Sequence, residues 1–175
     1  MITVATPADR ERIVETLVAA FRDDPELRYF FPDPADYAAG AATFFGHLFD
    51  KRVGRNTVWT VGGGSSVAIW EPPGTPHVPY PPLPDRVRIF DEAVEPMMPD
   101  EPYWYLGVLG THPDHTGNRY GQAVMAEGLR RAAGDGLPAY LETCTESNVE
   151  MYTRRGWRVV GHTTEPMPIW VMRHG

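Results

Sequence analysis

Residues 112–124 read HPDHTGNRYGQAV and combine a turn with the start of a predicted helix. The first N–H groups of a helix have no partner within the helix, and the helix dipole places partial positive charge beside them. Consecutive N–H groups from Asn118 to Gln122 are therefore suited to bind anionic oxygens, with a charge-assisted contact from Arg119. An ordinary turn between a strand and a helix explains the same spacing equally well.

The elements that must position this segment alternate along the chain. An apolar stripe containing Ile13, Leu17 and Phe21 predicts that the first helix packs on a sheet. Strands are predicted at residues 2–6, 56–61, 65–70, 103–109, 138–144, 157–163 and 167–173. Helices are predicted from residue 7 to about 22, and at 37–53, 86–97, 121–133 and 147–155. This order is typical of an α/β fold with a mixed sheet, and it predicts a single domain over residues 1–175.

One long segment interrupts this order. Residues 71–85 read EPPGTPHVPYPPLPD, and their proline content predicts a loop. A loop of this length without regular structure often lines a functional surface. A linker between domains is the alternative, but each half of the chain has too few strands to fold alone.

Composition excludes several classes of protein. The chain has 175 residues and a formal net charge of −7, which argues against nucleic acid as a partner because phosphate contacts need a basic face. The single cysteine, Cys144, permits no internal disulfide, and the sequence shows neither a signal peptide pattern nor a long apolar run. We therefore expect a cytoplasmic protein with no membrane partner, present as a monomer or a homodimer.

Two segments carry a family resemblance. YLGVLGTHPDHTGNRYGQAV (105–124) resembles the acyl-CoA-binding segment of the GNAT superfamily of N-acetyltransferases. LETCTESNVEMYTRRGWRVVG (141–161) resembles the N-x-x-x-Y-x-x-x-G-F/W segment of the same family. VAIWEPPG (67–74) and the final PIWVMR are similar to the branch that includes puromycin acetyltransferase. The resemblance implies the GNAT fold, with a central mixed sheet of about six to seven strands flanked by helices.

The resemblance implies that the chain binds acetyl-CoA as a co-substrate through the Q/R-x-x-G-x-G/A loop. The N–H of Leu109 would polarise the thioester carbonyl. The residues implied to contact the cofactor are Leu109, Thr111, Thr116, Gly117, Asn118, Arg119, Tyr120, Gly121, Gln122, Asn148 and Tyr152.

The loop departs from the family pattern at two positions. Thr116 stands where the family prefers glutamine or arginine, and Arg119 stands where it prefers glycine; only Gly121 fits. A side chain at the glycine position obstructs phosphate if its Cβ points inward, whereas an arginine that swings outward pairs with phosphate. Both alternatives stay open in the sequence.

The resemblance implies a general acid, whereas the candidate general base follows from its position in the predicted elements. Tyr152 occupies the family's tyrosine position and is the candidate general acid, because a phenol keeps its proton at neutral pH. Glu142, at the end of a predicted strand, is the candidate general base, although such a glutamate is also often structural. His112 is the weaker candidate for this role, because its place in the HPDH turn is typical of a loop residue. Ser147 to Glu150 read as a capping box, which predicts a helix that starts at Ser147.

The expected acceptor is a small-molecule amine. Asp24 and Glu26 follow the first helix, where relatives form the amine pocket, and Tyr29 and Trp104 are candidate pocket aromatics. Acids in such positions are otherwise simply solvated.

Other chemistries have weaker support. His112 and His115 in a proline-containing turn are weak evidence for a metal site, so we expect none. The serious alternative to an N-acetyltransferase is a protein with the GNAT fold whose degenerate loop serves in ligand binding or interaction without acetyl transfer.

Overall fold

The computed structural model describes all 175 residues, and its centre is one seven-stranded sheet. The strands are ordered β1-β2-β3-β4-β5-β7-β6. Only β4 and β5 pair in parallel, and every other pair is antiparallel. The strands are β1 (Ile2–Val4), β2 (Val58–Val61), β3 (Ser66–Glu71), β4 (Trp104–Thr111), β5 (Ala139–Thr143), β6 (Arg158–Thr163) and β7 (Ile169–His174). The mixed sheet of seven strands predicted from the sequence is confirmed.

Six α-helices cover the two faces of this sheet. They are α1 (Arg10–Ala20), α2 (Pro25–Phe30), α3 (Pro34–Val53), α4 (Asp85–Val94), α5 (Tyr120–Gly134) and α6 (Glu146–Thr153). The first four contribute apolar side chains to one core, on one face of the sheet. The other core, on the opposite face, takes its helical side chains from α5 and α6. No helix is both long enough and apolar enough to cross a membrane.

Side-chain caps explain two differences from the sequence prediction, an additional helix and an earlier helix start. The short helix α2 was not predicted; Asp24 caps it by accepting hydrogen bonds from the N–H groups of Glu26 and Leu27. Helix α6 begins at Glu146, one residue before the predicted start, because Thr145 caps it by accepting a hydrogen bond from the N–H of Asn148. The prediction that Ser147 starts this helix is therefore wrong.

The parallel pair β4–β5 is short, and the two strands then part. Only Trp104–Ala139 and Tyr105–Tyr140 are in register, although β4 continues to Thr111. β4 contains a β-bulge: Ile69 pairs with Val108 but the next residue, Trp70, pairs with Leu106, which leaves one extra residue on β4. The bulge changes the face of the sheet to which the later side chains of β4 point. An opening between two strands is therefore available in the middle of the sheet.

Candidate functional site

A groove lies where the loop after β4 enters α5, and we call it the loop groove. It has a volume of about 280 Å³. Its lining includes ten of the eleven residues predicted to contact the cofactor: Leu109, Thr111, Thr116, Gly117, Arg119, Tyr120, Gly121, Gln122, Asn148 and Tyr152. Asn118 is the exception, since its side-chain amide donates to the carbonyl of His115 instead. The sequence motif and the end of α6 are thus brought together in one groove.

The N-terminus of α5 is free of side-chain caps. Arg119 occupies the cap position, and its side chain makes no capping hydrogen bond. The N–H groups of Tyr120 to Gln122 lie in the first turn of the helix, where they lack acceptors within it. These donors, on a helix of 15 residues, form a suitable site for an anionic oxygen.

Arg119 adopts a left-handed backbone conformation, with φ of 59° and ψ of 20°. Such a conformation suits glycine and costs other residues about 1–2 kcal/mol. Its side chain is exposed and takes part in no ion pair or side-chain hydrogen bond of the protein. The arginine therefore stands at a glycine-like position with its guanidinium free.

Tyr152 places a hydroxyl at the loop groove. Its ring is buried against Trp157, with the ring centroids 5.9 Å apart. Burial raises the pKa of the Tyr152 hydroxyl, and the nearby Glu142 raises it further. The phenol therefore stays protonated at neutral pH, as a proton donor must.

Asn148 supports the same end of the groove, since its side-chain amide donates to Thr143 Oγ1 at 3.1 Å. Two basic residues in the lining, His115 and Arg155, were not predicted. The sequence RRG around Arg155 shows a local positive charge, but whether Arg155 reaches the groove depends on where α6 ends.

A second depression, which we call the acidic cavity, lies on the other face of the sheet. Its volume is about 320 Å³, and 14 of its 23 lining residues are hydrophobic. The polar part of the lining contains five carboxylates against one lysine and one arginine. The arginine, Arg52, is already paired with Glu71. The cavity therefore combines apolar walls with an excess of negative groups.

Glu142 lines this cavity near the parting of β4 and β5. The Tyr105 hydroxyl donates hydrogen bonds to both of its carboxylate oxygens. Burial raises the pKa of Glu142 to about 7, while the bond from Tyr105 opposes the rise. A carboxyl with this pKa can accept and release a proton near neutral pH.

Glu26 and Asp91 face the same cavity from α2 and α4. Burial raises the pKa of Glu26 well above its ordinary value, and Glu142, Asp24 and Asp91 raise it further. Partial desolvation also raises the pKa of Asp91, although its side chain keeps access to solvent in the cavity. Neither carboxylate takes part in an ion pair.

Three of the predicted acceptor residues do not line the acidic cavity. Trp104 is buried in the other core, and its indole N–H donates to Asp135 at 2.8 Å. Tyr29 packs beside Arg86, whose guanidinium carbon is 4.9 Å from the ring centroid, and it does not line the acidic cavity. Asp24 serves as the cap of α2. Of the four predicted acceptor residues, only Glu26 lines the cavity.

The bulge in β4 explains why both depressions lie beside this strand. Tyr105, Gly107 and Val108 line the acidic cavity, whereas Leu109 and Thr111 line the loop groove. Glu142 and Tyr152 are close enough for the carboxylate to influence the phenol. A candidate proton acceptor and a candidate proton donor therefore lie on either side of the strand opening.

The turn before the groove has no cluster suited to a metal. No group of three or more His, Cys, Asp or Glu side chains is placed to hold a metal ion. His112 instead accepts a hydrogen bond from the N–H of Asp114 at 3.2 Å.

Comparison with known proteins places this geometry among acetyltransferases. The family model described as acetyltransferase (GNAT) family matches residues 10–157. A Corynebacterium glutamicum structure described as histone acetyltransferase HPA2 and related acetyltransferase is 24% identical, with a TM-score of 0.74. The match covers 99% of this chain and 94% of that chain.

Two insect enzymes share the fold at lower identity. The polyamine N-acetyltransferase of Drosophila melanogaster is 11% identical over 99% of this chain and 98% of that chain, with a TM-score of 0.66. Arylalkylamine N-acetyltransferase 2 of Aedes aegypti is 10% identical over 99% and 97%, with a TM-score of 0.69. The resemblance to the branch that includes puromycin acetyltransferase stays a prediction.

Proposed function

Because the chain belongs to the acetyltransferase (GNAT) family, whose members are acyltransferases, we propose that it transfers an acetyl group from acetyl-CoA to a small-molecule amine. The observation that carries the proposal is the pair of depressions on either side of the β4–β5 opening, with Glu142 in one and Tyr152 in the other. Two neighbours in fold are named as amine acetyltransferases, which supports an amine acceptor. We propose that residues 1–175 act as one domain, since a single sheet contains strands from both ends of the chain.

The loop groove fits the diphosphate of coenzyme A. The N–H groups of Tyr120, Gly121 and Gln122 are available at the start of α5, and two arginines add positive charge beside them. Acetyl-CoA, when bound, supplies the thioester-linked acetyl group. We propose that the N–H of Leu109, near the end of β4, polarises the carbonyl of this group, a kind of stabilisation worth about 3 kcal/mol per donor.

The acidic cavity receives the amine. Glu142 accepts a proton from the incoming ammonium group, directly or through water, and so makes the nitrogen nucleophilic. The nitrogen forms a bond to the acetyl carbon as the carbon–sulfur bond breaks. Tyr152 donates its proton to the departing sulfur, which leaves as the free thiol, and the second proton of the acylated nitrogen, transferred through solvent, restores the Tyr152 hydroxyl.

Acetyl-CoA should raise the melting temperature of the protein, because a ligand that binds only the native state stabilises it by about 2.7 kcal/mol at 100 times its Kd. Gly121→Asp is the matched variant: its carboxylate suits the helix N-terminus but repels a diphosphate there. We expect the variant to fold and to lose the shift. An unchanged shift in Gly121→Asp would place the nucleotide elsewhere.

A screen of amines with acetyl-CoA, reading out free thiol, tests transfer itself. Release of thiol that depends on the amine supports the proposal. A thermal shift without turnover on any amine would favour the alternative of a ligand-binding protein with this fold.

The guanidinium of Arg119 is expected to assist nucleotide binding. Arg119→Ala should weaken acetyl-CoA binding about fivefold at low salt, and less at high salt, because the lost contact is electrostatic. Arg119→Gly loses the same charge but relieves the left-handed backbone, so it should melt at a higher temperature than Arg119→Ala. Calorimetry and thermal melting measure the two effects. Tighter binding by Arg119→Ala would show that the side chain obstructs the groove.

A further inference from the structure

Three carboxylates of the acidic cavity lack a cationic partner within the protein. Glu26, Asp91 and Glu142 come from α2, α4 and β5 and converge on one cavity. None of them takes part in an ion pair, and Glu26 makes no side-chain hydrogen bond. Buried charges are normally paired, because an unpaired charge in a partly desolvated site is costly. Tyrosine hydroxyls donate to two of these acids, Tyr105 to Glu142 and Tyr80 to Asp91, but no cation of the protein pairs with any of the three.

The basic residues of the cavity do not neutralise them. Arg52 is committed to Glu71. Lys51 lies over Tyr80, with its Nζ 5.8 Å from the ring centroid, and makes no ion pair. Burial lowers the pKa of Lys51, while the positive charge of Lys51 lowers the pKa of Asp91, so this lysine offsets part of one of the three acids. The acids thus outnumber the available cations around the cavity.

Burial is the main cause of the raised pKa of Glu26, and the neighbouring carboxylates add to it. Mutual repulsion with Glu142 and Asp91 contributes to the raised pKa of Glu26. The other titratable groups that line the cavity are Lys51 and Arg52 from α3, Glu71 from β3, His77 and Tyr80 from the proline-rich loop, Glu95, Tyr103, and Tyr105 from β4. A cation placed among the three carboxylates would relieve the repulsion and be held by charge-assisted hydrogen bonds.

An acceptor with a single amino group would not neutralise this cluster of three acids. The reacting amine gives up its proton to Glu142, so it is neutral when transfer occurs. We propose that the acceptor is a dication, an amine with a second cationic group that Glu26 and Asp91 bind while the reacting nitrogen lies beside Glu142. This inference rests on the proposed function, because it takes the acidic cavity as the amine site.

The test compares two acceptors with the same number of heavy atoms. 1,4-Diaminobutane has an ammonium group where n-pentylamine has a methyl group. Calorimetry, with the full-length protein saturated with coenzyme A, should show the diamine binding at least about tenfold more tightly. Steady-state kcat/KM with acetyl-CoA should favour the diamine by a similar factor.

Charge-removing variants locate the second cation. Glu26→Gln and Asp91→Asn should each lower diamine affinity about tenfold and leave n-pentylamine affinity within about twofold. Glu92→Gln is the control, because Glu92 follows Asp91 on α4 but pairs with Arg88 outside the cavity. Its discrimination between the amines should equal that of the unmodified protein. Asp91 keeps access to solvent, so Asp91→Asn provides a folded variant if Glu26→Gln melts early.

The outcomes separate this inference from the proposed function. Equal affinity for the two amines, or tighter binding of n-pentylamine or 2-phenylethylamine, overturns the dication and leaves acetyl transfer standing. Preferential binding of the diamine without turnover on any amine supports the dication site and overturns the proposed transfer. Discrimination that survives both Glu26→Gln and Asp91→Asn overturns the assignment to these residues.

Discussion

Glu142→Gln is expected to lower kcat/KM for the amine about 100-fold at pH 8, because general base catalysis typically contributes 10²–10⁴-fold. The pKa of Glu142 is about 7, so kcat/KM of the unmodified protein should rise with pH through about 7. The variant should lose that rise. Glu146→Gln removes a nearby exposed acid at the start of α6 and should leave kcat/KM unchanged. A loss of less than about threefold in Glu142→Gln would exclude this carboxylate as the base.

The same substitution should have the opposite effect on stability. Folding raises the pKa of Glu142, so its favourable contribution is complete below about pH 4.5 and is lost as pH rises through about 7. Above pH 7 the ionised carboxylate opposes folding, whereas glutamine does not. Glu142→Gln should therefore melt at a higher temperature than the unmodified protein at pH 8, with a smaller difference at pH 5. Low activity in a stabilised variant cannot result from unfolding.

Tyr105→Phe tests whether the hydrogen bond from Tyr105 sets the pKa of Glu142. It removes the hydrogen bond that holds the pKa of Glu142 down, while the carboxylate itself stays. The midpoint of the pH profile should move above 7, and kcat/KM at high pH should recover more than in Glu142→Gln. A midpoint that does not move would show that this hydrogen bond does not tune the base.

The loop groove could be predicted from the sequence because its parts are local. Residues 103–124 contain a strand, a turn and the start of a helix in direct succession. This local order determines where the first N–H groups of α5 point. The second motif lies on α6, and its separation from the first matched the family. The predictions that failed there concern single caps, such as Thr145 in place of Ser147, since capping depends on side-chain geometry.

The acidic cavity could not be predicted in the same way because its residues are distant in sequence. Asp91, Tyr105 and Glu142 lie on three elements, and their convergence depends on helix packing over the sheet. Trp104 was predicted to line the acceptor pocket, but it packs in the opposite core, and the next residue, Tyr105, lines the cavity instead. Successive strand residues point to opposite faces, so an error of one position reverses the assignment.

Tyr152→Phe should lower kcat about 10- to 100-fold and change the affinity for acetyl-CoA by less than about threefold. The expected loss lies at the low end of general acid catalysis, because a thiol with a pKa near 8.5 leaves without full protonation. The pKa of Tyr152 is raised by burial, so the proton is present throughout the neutral range and the remaining activity should keep the pH dependence set by Glu142.

The substitution is a clean test because only the hydroxyl is removed. The ring packs on Trp157, a contact that phenylalanine retains, and the hydroxyl makes no hydrogen bond within the protein. Tyr140→Phe is the matched control, since Tyr140 is equally buried on β5 but lines neither the loop groove nor the acidic cavity. Stopped-flow measurement of thiol release in single turnovers isolates the chemical step. If single-turnover rates of Tyr152→Phe and the unmodified protein agree, the sulfur leaves without this proton, and Tyr152 serves only to shape the groove.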